Sequence, residues 1–373
     1  MAAAGAGHGA GTGMINPRAA RVPVRKLLLV LCALVLGIAG TQATRGTALH
    51  PEHARMLAAA HTMQRAQQAL CDIIVSEQIE ILPEDINQTG LIGPQWTALT
   101  SSMGVLEAKR TSLNPNFAAL MVRLYSEAGL KSGDTVAMGL SGSFPGLCIA
   151  ALAAANQMGL TARVIASYGS SMYGGSRPEM TTIRMLTLLK EQGILQFDMV
   201  AVSPGGEGDQ GINPYWEDAR QVVLSLARQD GYALIDESDL AHNIALRLEC
   251  YGDGIDAFVN VGGALANVGR EGASLRVNPG LTHSLDNLPQ DNTRGVMLEF
   301  LARGVPVIHL LNVRALAADF GLPYDPVPLP QPGEGKMYAV HTVSPWPALV
   351  ALLVCAYILV DIKKAGRTSR TRP

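Results

Sequence analysis

The stretch that decides the fold is Thr135–Ser167, TVAMGLSGSFPGLCIAALAAANQMGLTARVIAS. It opens with a short apolar run, Thr135–Leu140, and breaks at a small-residue loop, Ser141–Gly146. An Ala/Leu-rich segment follows, Leu147–Met158, and then a second short run, Arg163–Ser167. Short apolar, β-branched runs bounded by Gly and Ser read as buried strands, and the longer segment between them reads as a helix. Strand, helix and strand in that order imply parallel strands joined by a right-handed crossover. The alternation repeats downstream. Further strands are expected at Asp198–Ser203, Tyr232–Asp236, Ala257–Val261 and Val305–Leu310. Helices are expected at Glu179–Glu191, Trp216–Gln229, Leu240–Cys250, Arg294–Arg303 and Val313–Phe320. The fold class is therefore α/β, a mostly parallel, Rossmann-like doubly wound sheet covered by helices on both faces.

Upstream, His50–Glu77 carries apolar residues at helical spacing, Pro83 interrupts, and Asn87–Pro94 is rich in turn residues. Residues 95–130 read as helical again, punctuated at Asn114-Pro115. This makes 44–130 an N-terminal helical region, 131–325 the α/β domain and 326–344 a Pro/Gly linker. Apolar runs stand near both ends. Leu27–Ala39 is short for a span of ~20 residues, but its flanks extend it into an anchor over 22–43. A signal peptide cleaved near Thr41-Gln42-Ala43 is the alternative. Trp346–Ile362, within a transmembrane helix over 345–362, has Trp346 and Tyr357 as interfacial aromatics. Arg18, Arg21, Arg25 and Lys26 precede the first run, and Lys363, Lys364, Arg367, Arg370 and Arg372 follow the last. Positive charge beside both spans places the tails, 1–21 and 363–373, in the cytoplasm and everything between them outside. The lipid bilayer is thus an expected partner.

The chain is 48% hydrophobic and 16% charged, with a formal net charge of -2, so no basic field points to nucleic acid. The five cysteines are scattered with no Cys-x-x-Cys pair, which argues against zinc and against a dense disulfide framework. Buried free thiols are expected, with one disulfide among Cys71, Cys148 and Cys250 left open. No P-loop is present, and neither a metal nor a cofactor is expected.

Ligands of open parallel sheets bind beyond the carboxyl ends of the strands. Those ends here carry small polar residues repeatedly: Ser141-Gly142-Ser143, Ser167–Ser171 with Ser170, Ser203-Pro204-Gly205-Gly206, Asp236, Asn260-Val261-Gly262-Gly263 and His309. Amide-rich loops at helix N-termini attract anions, so a carboxylate or phosphate is the expected ligand class. Taken singly, each loop is explained by turn and capping chemistry; several on one sheet edge point to a shared cleft. Arg177, Arg184 and Arg314 are candidate anion partners. A triad of Ser141 or Ser143 with Asp236 and His309 can be drawn. Gly139-x-Ser141-x-Ser143 lacks the last glycine of a nucleophile elbow, however, and we set the triad aside. His242 and His283 read as ordinary helix and loop histidines, and Glu207 with Asp209 as a solvated acidic loop rather than a cation site.

Leu106–Ser112 (LEAKRTS) and Asn114–Leu120 (NPNFAAL) resemble the poly-gamma-glutamate system protein family. The resemblance continues through Gly139–Gly146 (GLSGSFPG), Ser203–Gly206, Asn260–Gly263 and Val307–Asn312, and covers about residues 80–335. It implies an accessory membrane subunit of poly-γ-glutamate capsule synthesis and export in the bacterial inner membrane. The implied partners are the synthase and export membrane subunits and the polyanionic polymer itself. The family brings no catalytic residues with it. Two rivals stand beside this expectation: an extracytoplasmic serine-type hydrolase or transferase acting on an envelope polymer, and an anion-binding sensor domain.

Overall fold

The computed structural model describes residues 23–270 and 276–368. The basic tail expected over 1–21, with Arg18 and Arg21, lies outside the described residues, as do Arg370 and Arg372. In chain order the first elements are α1 (Val24–Ala43), β1 (Gly46–Leu49), α2 (His53–Ser76), β2 (Thr100–Ser102), α3 (Leu106–Thr111) and α4 (Asn116–Glu127). Next come β3 (Thr135–Leu140), α5 (Pro145–Met158), β4 (Thr161–Ser167), β5 (Ser170–Ser171), β6 (Ser176–Arg177), β7 (Met180–Thr181), α6 (Thr182–Glu191) and β8 (Asp198–Ser203). Then follow α7 (Ala219–Asp230), α8 (Leu240–Tyr251), β9 (Ala257–Val261), α9 (Leu265–Val268), β10 (Gly280–Thr282), α10 (Val296–Ala302), β11 (Val307–Leu310) and α11 (Val313–Phe320). The chain closes with β12 (Ala339–Thr342) and α12 (Trp346–Thr368).

Two compact units result, one from the chain ends and one from Leu49–Ala339. In the terminal unit, α1 and α12 are each long and apolar enough, by length and composition, to cross a membrane. They pack on each other through small residues. A Cβ at Gly37 would stand 2.5 Å from the Ala351 Cβ, and one at Gly40 would stand 2.9 Å from the Pro347 Cβ. Such small-residue faces let apolar helices approach closely where no water drives them together. Lys26 and Asp361 form an ion pair at 2.6 Å, and most of the remaining apolar surface is exposed. These two helices support membrane association.

The central unit is a mixed α/β body around a six-stranded, mostly parallel sheet in the order β10-β11-β9-β3-β4-β8. Alternate residues of each strand enter different cores, as a pleated strand requires. Val136, Met138 and Leu140 of β3 join one cluster, with Val164 and Ala166 of β4 and Val259 and Val261 of β9. Ala137, Ile165 and Phe258 join the other. Residues of α2, α4, α5, α6 and α7 fill the first cluster, and residues of α8 and α10 fill the second. Helix α5 is buried along nearly its whole length. Its alanines let α2 and α4 pack over it as a further layer. Every apolar position is therefore in use, which is why this segment reads as uniformly hydrophobic and not amphipathic.

Two expectations need correction, and two points not read from sequence are added. Residues 95–130 are not one helical stretch: β2 and irregular chain precede two short helices, α3 and α4. The strand expected at Tyr232–Asp236 shrinks to a single parallel bridge, Val202 to Leu234. The segment meets β8 only around Val202, whose amide donates to the Ala233 carbonyl and whose carbonyl accepts from the Ile235 amide. At the opposite edge β10, unforeseen, pairs antiparallel with β11. All five cysteines are free thiols, so the disulfide left open does not form.

Candidate functional site

The parallel strands end in register. Leu140 lies beside Ala166 and Val261, Ser167 beside Ser203, and Leu310 beside Val261. Five loops therefore leave the sheet at one level and surround a cleft of about 800 Å³. The loops contribute Ser141, Ser143 and Phe144; Ser167, Gly169 and Ser171; Gly205–Asp209; Gly263–Leu265; and Leu311–Arg314. The facing wall is Ser101–Val105, with Ala108 and Lys109 from α3, and Tyr324. Helix α5 begins at this cleft with Phe144 at its N-cap and no side-chain cap. Helix α11 begins there too, capped by Asn312, whose side chain accepts from the Ala315 amide. Both helices thus turn their positive ends toward the cleft.

Of the residues anticipated from sequence, Ser141, Ser143, Gly205, Gly206 and Gly263 line the cleft. The others stand behind it or elsewhere. The Gly142 carbonyl accepts from the Gly175 amide at 2.8 Å, Thr182 Oγ1 at 3.1 Å and Ser170 Oγ at 3.2 Å. A side chain at Gly142 would strike the carbonyl oxygens of Ser167, Tyr168 and Gly169. Glycine is needed there for close packing of two loops, not for the approach of a ligand. Asn260 Nδ2 donates to the Gly262 carbonyl at 2.7 Å and contacts His309 Nδ1 at 3.0 Å, all of it buried. Burial lowers the His309 pKa to about 4, so the ring is neutral at physiological pH.

Asp236 lies outside the cleft lining, in a bidentate pair with Arg220. Among the described residues no hydrogen bond joins His309 to Asp236, Ser141 or Ser143, and the triad set aside from sequence does not assemble. Arg177 and Arg184 are engaged elsewhere, by the Glu80 carbonyl and by Glu77. Arg314 does line the cleft, its guanidinium 4.4 Å from the Tyr324 ring centroid. The loop read as solvated and acidic is split: Glu207 is exposed, but Asp209 is 1% exposed. The Asp209 carboxylate accepts from Ser203 Oγ, the Gly205 amide and Asn243 Nδ2, and pairs with Arg247 at 2.5 Å. This buried network clamps the Ser203–Asp209 loop. The amides of Gly206 and Gly263, by contrast, meet no protein acceptor among the described residues.

Sequence reasoning missed the side chain with the most unusual setting. Lys109 is 2% exposed yet lines the cleft, and among the described residues it has no ion-pair partner. Its Nζ donates to the Ser143 carbonyl and, at 2.6 Å, to Ser171 Oγ, and sits 3.6 Å above the Phe144 ring centroid. Burial drives its pKa down to about 7, and the nearby Cys148 opposes this only in part. Ser167 Oγ is also buried on the cleft wall, and among the described residues it has no hydrogen-bond partner. Among the described residues no group of three or more His, Cys, Asp or Glu side chains is placed to hold a metal ion.

The sequence matches no protein-family profile. It matches no curated protein. Among solved structures it is similar to the crystal structure of O-ureido-L-serine synthase, at 16% identity over 57% of this chain and 69% of that one. The TM-score is 0.17, too low to bear on fold or chemistry.

Proposed function

We propose that this chain is a membrane-anchored accessory subunit of poly-γ-glutamate synthesis and export. Its central unit, a Rossmann-like doubly wound domain on this reading, faces the extracytoplasmic side and binds the polymer's carboxylates. The carrying observation is the convergence on one cleft of two helix N-termini, the unsatisfied Gly206 and Gly263 amides and Arg314. The one buried carboxylate of the cleft wall, Asp209, is already neutralised by Arg247. What remains, beside the exposed Glu207 carboxylate at the rim, is a set of donors that suits an anion. Arg25 and Lys26 at the start of α1, and Lys363 after the apolar part of α12, support a topology with both tails cytoplasmic. The synthase and export subunits are then partners within the bilayer.

The test uses the full chain in detergent micelles titrated with poly-γ-glutamate. Saturable, salt-weakened binding that drops several-fold in Arg314→Ser is expected. Deleting the gene should reduce surface polymer. No binding together with unchanged surface polymer overturns the reading. A cysteine placed at Met103, which is 80% exposed, should react with a membrane-impermeant maleimide in spheroplasts. Protection there until lysis would invert the topology. A second reading, an enzyme acting on the same polymer, is favoured by one contact, Lys109 to Ser171.

A further inference from the structure

We infer that Ser171 and Lys109 form a serine–lysine pair, with Ser143 as oxyanion donor, that cleaves an amide bond in the cleft. The substrate class, an amide of a carboxylate-bearing polymer, rests on the reading above; the pair itself does not. Three features carry the inference. The first is geometry: Lys109 Nζ and Ser171 Oγ are 2.6 Å apart, and both residues line the open cleft. The second is the absence of any carboxylate ion-paired with Lys109 among the described residues. A structural buried lysine is normally paired, because an unpaired ammonium pays the full cost of desolvation. A lysine kept without a counter-ion over an apolar ring is one whose neutral form is populated. Cys148 is the titratable group beside it, and that thiol is buried with its own pKa raised by desolvation. At neutral pH the Lys109 amine is therefore a usable base, with its pKa near the working pH.

The third feature is that the hydrogen bonds close for the neutral amine. It has two N–H groups and one lone pair. One N–H serves the Ser143 carbonyl and the other faces the Phe144 ring. The lone pair is left for the Ser171 hydroxyl, so the 2.6 Å contact in which the ammonium donates to Ser171 Oγ turns round on deprotonation and the hydroxyl donates to Nζ. Ser143 Oγ accepts from the Ser171 amide at 3.0 Å and from Ser141 Oγ at 3.1 Å. Its own hydrogen is thus free to point into the cleft at an oxyanion.

The reaction follows from these roles. Ser171 Oγ bonds to the amide carbon as its proton passes to Lys109 Nζ, and the carbonyl electron pair moves onto oxygen beside the Ser143 hydroxyl. The pair returns, the C–N bond breaks, and Lys109 gives its proton to the leaving amine. Water then adds to the acyl ester and yields a proton to Lys109. The C–Oγ bond breaks, the proton returns to Ser171, and a carboxylic acid leaves.

The experiment is active-site labelling of the full chain in detergent with a fluorophosphonate, located by peptide mass spectrometry. Modification at Ser171 is expected, with a rate that rises as pH passes through about 7. Lys109→Met should slow it by roughly 100-fold or more. New amino termini should accumulate in poly-γ-glutamate with the native chain and not with Ser171→Ala. No modification at Ser171 of the native chain, or an equal rate in Lys109→Met, overturns the pair. If Lys109→Met does not fold, the labelling site and pH profile of the native chain decide alone. Polymer binding without labelling overturns the pair and leaves the binding reading standing; labelling without polymer binding does the reverse.

Discussion

Two of the buried cations in the central unit, Arg247 and Lys109, are kept in opposite ways. Arg247, 1% exposed, meets a carboxylate, and its other donors reach Ser203 Oγ at 2.7 Å and Asn243 Oδ1 at 2.8 Å. Lys109 meets a carbonyl, a hydroxyl and an aromatic face. Both were taken out of water, but only one was given an opposite charge. The paired cation holds a loop. The unpaired one is left able to titrate. Guanidinium suits the first role and ammonium the second, because only the amine loses its proton within reach of physiological pH.

The largest effect expected from this contrast is at Arg247. Arg247→Met strands the Asp209 carboxylate inside the protein and should cost about 3–5 kcal/mol of unfolding free energy. Urea denaturation measures it, and a loss below about 1 kcal/mol would remove the contrast. A smaller effect is expected at Lys109, and it depends on pH. The folded pKa is lowered to about 7, while the unfolded chain titrates near the ordinary value of 10.5. Between these values the unfolded state binds more protons, so stability rises with pH across that window. Below about pH 7 the full penalty of burying the ammonium is present. Lys109→Met should abolish this slope and match or exceed the native chain at pH 6.5, by on the order of a few kcal/mol. Denaturation at pH 6.5, 8 and 9.5 shows it; an equal slope in both proteins would mean that Lys109 is not the group responsible. The smallest effect is at the exposed pair Arg220 and Asp236. Arg220→Ala should cost less than about 1 kcal/mol and leave polymer binding unchanged. A clear fall in binding would restore Asp236 to the site.

The sheet was largely legible before the structure, and for one physical reason. Strands buried on both faces need apolar residues at nearly every position, so β3, β8 and β9 stand out at their observed limits. The edges were not legible. Tyr232–Asp236 has strand composition, but what makes a strand is a neighbour, and it has one bridge. Gly280–Thr282 is a strand without strand composition, held by pairing to β11. The cleft was legible as a set of loops and not as a set of side chains. A Ser/Gly loop announces a turn, but which hydroxyl faces inward depends on the turn's conformation. Thus Ser171 lines the cleft while Ser170 bonds back to the Gly142 carbonyl. Lys109 gave no signal at all. A charge on a short helix is ordinarily a solvated one, and only the packing of α3 over Phe144 makes this one otherwise.

The glycine face of α1 also sets an order of events during synthesis. Gly37 and Gly40 are shaped for Ala351 and Pro347, yet the ribosome makes the whole central unit before it reaches α12. At ordinary elongation speeds that delay is on the order of tens of seconds. Under the proposed topology α1 spends the interval as a lone helix in lipid, with its notch open, while the domain folds on a single tether. If the proposed partner subunits are present, that interval is the time in which one of their helices could occupy the notch before the chain's own C-terminus arrives to close it.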